Sequence, residues 1–178
     1  MNDRSTFINV EQLNHGLPAI TPAFGETLVE AIAICLNNQE HMSGCNFEID
    51  GDFQAQVQLI YPMITEQMQR CWNDQEYTTE QAAYGIAFLL IRYLTDFTII
   101  ERSRRGTGFD YWLGVEEAEL PFQRMVRLEV SGIRNGIRSL INTRVKLKTR
   151  QVQRFRNSLP AYVVVVEFGT PCSQIVSV

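Results

Sequence analysis

The chain reads as an α/β domain, a mixed central sheet with flanking helices, and three observations predict this. Residues 161–168 (AYVVVVEF) hold four consecutive valines, as expected of a strand covered on both faces. Several other short β-rich runs are bounded by glycines or turn residues. Two longer segments have helical spacing; one is apolar on most faces and the other is basic with a single apolar stripe.

Taken in order, the first 21 residues read as irregular, with Gly16, Pro18 and Pro22 as breaks. A helix is predicted over 22–39, where Phe24, Leu28, Ala31, Ile32 and Cys35 share a face. Residues 46–61 (NFEIDGDFQAQVQLIY) alternate and predict a hairpin with a type I′ turn at Asp50-Gly51. Pro62 is expected to open a second helix, ending near Trp72. Thr78 then starts a third, with Gln81 as its capping-box partner. Its body, QAAYGIAFLLIRYL, has no polar face wide enough for a surface helix and should be buried. Strands follow over 97–102, 109–115 and 124–131, separated by a turn at Gly106 and Gly108 and by an acidic loop ending at Pro121. A basic helix over 135–157 leads to the strand over 161–168, and SQIVSV is expected to add an edge strand. RVKLK at 144–148 alternates like a strand, but helix is favoured because Ile137, Ile141, Val145, Val152 and Phe155 then share one face.

At 178 residues, with 45% apolar and 20% charged content, the chain predicts a single globular domain. Neither a signal peptide nor a membrane-spanning run is legible, so a cytoplasmic protein is expected. Cys35, Cys45, Cys71 and Cys172 form no CxxC pair, and His15 and His41 are the only histidines, which argues against zinc and for free thiols.

Charge is lopsided. Residues 1–90 carry two arginines against twelve acids, whereas 134–156 hold eight basic residues and no acid. This predicts a nucleic-acid partner. The alternative is a basic helix that meets the acidic half of its own fold, a second subunit or another protein.

From Thr78 onward the predicted order is helix, three strands, helix, strand. With Asp110 in GTGFDYWLG and Glu129-Val130-Ser131 in RLEVSG, the chain resembles the PD-(D/E)XK nuclease superfamily over residues 78–168. The resemblance implies a restriction-endonuclease-like αβββαβ core, with residues 1–77 an N-terminal helix and hairpin elaboration. It implies Asp110 and Glu129 as ligands of Mg²⁺ or Mn²⁺, and Glu80 as a further acid from the first core helix. The sequence departs at Ser131, where the family has a lysine that orients or deprotonates the attacking water. The chain has only Lys146 and Lys148. At about 100° per residue, Lys148 falls in the apolar sector of the basic helix and Lys146 roughly opposite. Lys148 is therefore expected to serve as a migrated lysine.

Arg144 and Gln151 neighbour Lys148 on the helix, and with Arg150 and Arg154 they are expected to contact nucleic-acid phosphates. Plainer readings stand beside these. Asp110 could pair with Arg104 or Arg127, and Glu80 could simply favour a helix dipole. Glu101 could be a further site carboxylate, but is expected instead to pair within the run 102–105. Asp50 and Asp52 read as turn residues. Besides a nuclease, the sequence admits an inactive nuclease-like binding or adaptor protein, or an immunity-type or regulatory protein with a protein partner.

Overall fold

Val163, Val164, Val165 and Val166 are fully buried in the middle of an eight-stranded mixed sheet. This computed structural model describes residues 6–116, 123–154 and 159–178. In chain order the elements are β1 (Phe7–Asn9), α1 (Pro22–Asn38), β2 (Cys45–Gly51), β3 (Ala55–Ile60), α2 (Glu66–Cys71), α3 (Gln75–Leu94), β4 (Phe97–Arg102), β5 (Tyr111–Val115), β6 (Val126–Ile133), α4 (Arg138–Arg154), β7 (Ala161–Glu167) and β8 (Cys172–Ser177). The sheet order is β1-β3-β2-β8-β7-β6-β5-β4. β4, β5 and β6 form an antiparallel meander, and β6 returns through α4 to the parallel strand β7.

Side-chain alternation along β7 divides the apolar interior into two layers. Val164 and Val166 join a large cluster with α1 and α3, while Val163 and Val165 join a smaller one with Ile141, Val145 and Val152 of α4. β6 alternates in the same sense: Leu128 and Val130 belong to the α3 layer and Ile133 to the α4 layer. Glu129 and Ser131 thereby face α4. The segment 144–148 is helical, as the apolar stripe requires, but α4 begins at Arg138. Ile137 precedes it and is 74% exposed, so it is not part of the stripe. Phe155 lies outside the described residues.

Several local expectations are corrected. The first residues are not wholly irregular: β1 pairs with β3, and Val10–His15 forms a 3-10 turn. Gly51 does not sit in a type I′ turn but ends β2 beside β8, with φ 102°, and a Cβ there would meet the Ile175 carbonyl oxygen at 2.2 Å. The second helix starts at Glu66 with Thr65 as its cap, not at Pro62. The third begins a turn before Thr78, because the Asp74 carboxylate accepts from the N–H groups of Glu76 and Tyr77. Thr78 is internal and returns its hydroxyl to the Asp74 carbonyl. The tail strand is no edge strand: β8 lies between β7 and β2 and joins the two halves of the sheet. All four cysteines are free, with Cys35 and Cys172 buried. Among the described residues no helix is long and apolar enough to cross a membrane.

α3 lies close over the end of β6. A Cβ on Gly132 would come 2.7 Å from the Thr79 carbonyl oxygen and 2.9 Å from its Cγ2. Backbone cannot yield as a side-chain tip can, so Gly132→Ala should destabilise the fold by about 1–3 kcal/mol, as overpacking does. Chemical denaturation of the variant measures this; unchanged stability would mean that α3 and β6 are not held at this spacing.

Candidate functional site

The apolar stripe of α4 has one cationic member. Ile141, Val145 and Val152 are buried, and Lys148 enters the sheet between the last two at helical spacing. Its Nζ lies 2.5 Å from Glu129 Oε1, with side chains 21% and 2% exposed respectively. Gln151 Nε2 donates to the same oxygen at 3.0 Å and to the Gly108 carbonyl at 3.2 Å. Lys146 is exposed, as the helical wheel requires.

Asp110 immediately precedes β5 rather than lying within it. Its backbone is fixed at both ends, the N–H donating to Leu128 O and the carbonyl accepting from Ser103 N, each at 2.8 Å. Its side chain is equally fixed: Oδ2 accepts from the Val130 N–H at 2.8 Å and Oδ1 from the Tyr84 hydroxyl at 3.0 Å. Tyr84 Oη also lies 3.4 Å from Glu80 Oε1, which draws Glu80 to the same place. The Tyr84 ring packs beside Phe88 and edge-on to Tyr111. The Ser131 hydroxyl, two residues beyond Glu129 on the same strand face, accepts from Arg144 Nη1 at 2.9 Å. A guanidinium from α4 thus comes to β6 beside Glu129.

Burial is the largest influence on Glu129 and pushes its carboxyl up, to about 7, with the Asp110 charge adding to the rise; Lys148 and Gln151 oppose it. Burial, followed by the charges of Asp110 and Glu80, raises the Tyr84 phenol, which therefore remains a donor at neutral pH. Burial likewise raises Tyr111 to about 12.

Two clefts meet at this centre. One, of about 530 Å³, is lined by Glu80, Tyr84, Asp110, Ser131, Arg134, Arg144 and Lys148 among others. The other, of about 470 Å³, is lined by Glu80, Arg102, Arg104, Arg105, Asp110, Glu129 and Gln151 among others. Glu80 and Asp110 line both.

Among the described residues no group of three or more His, Cys, Asp or Glu gathers tightly enough to enclose a metal ion. The donors present nevertheless suit Mg²⁺ or Mn²⁺, hard cations satisfied by one or two carboxylates with water and phosphate oxygens completing the shell. Among the described residues, both hydrogen bonds to Glu129 fall on Oε1 and each Asp110 oxygen takes one bond, so accepting capacity remains.

The predicted site residues are therefore distributed unevenly. Asp110, Glu129, Lys148 and Glu80 come together. Of the residues expected on nucleic acid, Arg144 and Gln151 turn inward to Ser131 and Glu129, whereas Arg150 and Arg154 are exposed and line neither cleft. Asp110 takes neither arginine offered to it; Arg127 instead donates to the carbonyls of Leu159 and Val152. Glu101 is corrected too: it pairs with Arg124, at 2.6 and 2.8 Å, not within 102–105. Tyr84 and Arg134 escaped sequence reasoning. The one signal for Tyr84 was its position four residues after Glu80, on the same helix face. No protein-family model, curated protein or solved structure matches the chain.

The raised Glu129 has a consequence for stability. The native state binds this proton more tightly than the unfolded chain, whose ordinary value is 4.5, so the contribution is full below that value and lost as pH rises through about 7. Stability measured by denaturant titration should therefore decline across this window, and Glu129→Gln should flatten the decline. An equal slope in the variant would assign the pH dependence elsewhere.

Proposed function

We propose that this protein is a metal-dependent phosphodiesterase acting on nucleic acid, with a restriction-endonuclease-like core of the PD-(D/E)XK type. The observation that carries the reading is the convergence of Asp110 from the turn before β5, Glu129 from β6 and Lys148 from α4 on one pair of clefts. The element order from α3 to β7 supports it. So does the scarcity of lysine in the chain, since one of its two lysines is directed at the buried glutamate.

Asp110 and Glu129 would hold Mg²⁺ or Mn²⁺, which supplies polarisation of a phosphoryl oxygen and a more acidic water. The protein's own residues do the rest. The Val130 N–H and the Tyr84 hydroxyl orient the Asp110 carboxylate. Lys148 supplies the positive charge missing at Ser131, both to position a water beside Glu129 and to offset charge developing on phosphate. Arg144, anchored on Ser131, adds a second donor where a phosphate oxygen would lie. Glu80 is held near Asp110 through Tyr84 and is the outermost acid of the set.

A second reading has an observation of its own. The Lys148–Glu129 contact is closed and already neutralises the glutamate, as in a nuclease-like protein that binds without cutting. The two readings differ in the response to metal. For the enzyme, millimolar Mg²⁺ or Mn²⁺ should raise the melting temperature, less so in Asp110→Ala and Glu129→Ala, because binding to the native state alone stabilises it. Cleavage of DNA or RNA should fall by roughly 10²-fold or more in Asp110→Ala and in Lys148→Ala, with Lys148→Ala keeping much of the metal stabilisation. Nucleic-acid binding without metal stabilisation or cleavage would establish the binding reading instead.

A further inference from the structure

The second cleft has a cationic wall that holding a metal does not require. Residues 103–108 form a braced turn: Ser103 N donates to Asp110 O, Thr107 Oγ1 donates to Arg104 O at 2.9 Å, and the Ser103 and Thr107 hydroxyls bond to each other. Gly106 and Gly108 take φ 92° and 81°, which lets the chain reverse tightly. Gln151 ties the turn to α4 through the Gly108 carbonyl. Arg102, Arg104 and Arg105 nevertheless stay exposed, with Arg102 placed over the Tyr111 ring. Arg104 and Arg105 form no salt bridge among the described residues, and Glu101, the acid beside them in sequence, is committed to Arg124. Such a rigid loop with uncommitted guanidinium groups is suited to phosphate oxygens. On the other side of Glu80 and Asp110, Arg134 and Arg144 line the first cleft.

We propose that the Arg102–Gly108 turn is a second phosphate-binding arm, which together with Arg134 and Arg144 grips one polynucleotide strand on both sides of the acidic centre. The inference rests on the reading of this site as one for nucleic-acid phosphodiesters. It adds that the strand passes through, so that no free end is needed. A site that captured strand ends would be closed on one side of the carboxylates, whereas here a cleft lies on each side of Glu80 and Asp110.

The test is equilibrium binding in EDTA, so that it is independent of cleavage. The probes are a labelled single-stranded DNA, its RNA counterpart, and the same DNA closed into a circle. Circle and linear strand should bind alike. Replacing both Arg104 and Arg105 by Ala should weaken binding of the favoured strand at least tenfold. It should also lower the slope of log K against log salt by roughly 1.4, about 0.7 for each single-strand phosphate no longer neutralised. Arg134→Ala should lower affinity independently, the two effects adding as for separated sites. Arg70→Ala, on an exposed residue lining neither cleft, should change nothing. Unchanged affinity and slope in the Arg104/Arg105 variant, or binding of the linear strand but not the circle, would overturn the proposal. Tight, salt-dependent binding with these effects but no metal-dependent cleavage would uphold the arm while removing the enzyme reading; cleavage unaffected by the arginine changes would do the reverse.

Discussion

A carboxylate in the interior of a strand covered on both faces is costly unless partners surround it. Glu129 is that carboxylate, and much of the site follows from its compensation. β6 carries it to the α4 layer because its neighbours Leu128 and Val130 are claimed by the α3 layer. α4 must then break its apolar stripe with a cation, and Lys148 does so between Val145 and Val152. Gln151 supplies the second donor and carries the connection on to the turn before Asp110. A buried pair of this kind is seldom a gain in stability over a hydrophobic one. The pair is nonetheless almost wholly withdrawn from solvent on the Glu129 side, so its geometry is held by Lys148 and Gln151 rather than by water.

The parts of this arrangement legible in the sequence were those governed by periodicity. The valine run of β7 announces a strand buried on both faces, and a 3.6-residue repeat is enough to place Lys148 inward and Lys146 outward. Glu129 stood out because a charged residue interrupts an otherwise interior strand. What stayed hidden was governed by contacts between distant segments. Nothing local distinguishes Asp74 from Thr78 as a helix cap; the choice depends on where α2 ends and α3 begins packing. Gly51 looked like a turn residue because glycine is needed both for φ > 0 and for close backbone approach, and only β8 shows that both demands apply here. The partners of Glu101 and Asp110 likewise depend on strand register, which side-chain alternation alone does not specify.

The preorganisation of the acidic centre is mostly the work of backbone. Asp110 is held by three main-chain bonds, two through its own peptide groups and one from Val130, so its position follows β6 rather than any flexible side chain. Tyr84 reaches the same carboxylate from α3, whose approach to β6 is set by the absence of a side chain at Gly132. Small displacements of that helix would be felt at Glu80 and Asp110 together.

The interior location of β8 also constrains the order in which the molecule can assemble. β2 pairs with β8 in parallel, Glu48 opposite Cys172, and has its sibling β3 on the other side. The hairpin made early by the ribosome therefore has no berth in the sheet until residues near 172 have emerged. The meander, α4 and β7 can dock beforehand through pairings closer in sequence, but the β2 edge must wait, exposed, for its neighbour. Such long-range pairing slows folding and leaves an unpaired strand in the interim. Until β8 is paired, that edge of β2 has no partner in the sheet, and the charges of Glu48 and Asp50 oppose its pairing with the same strand of another copy.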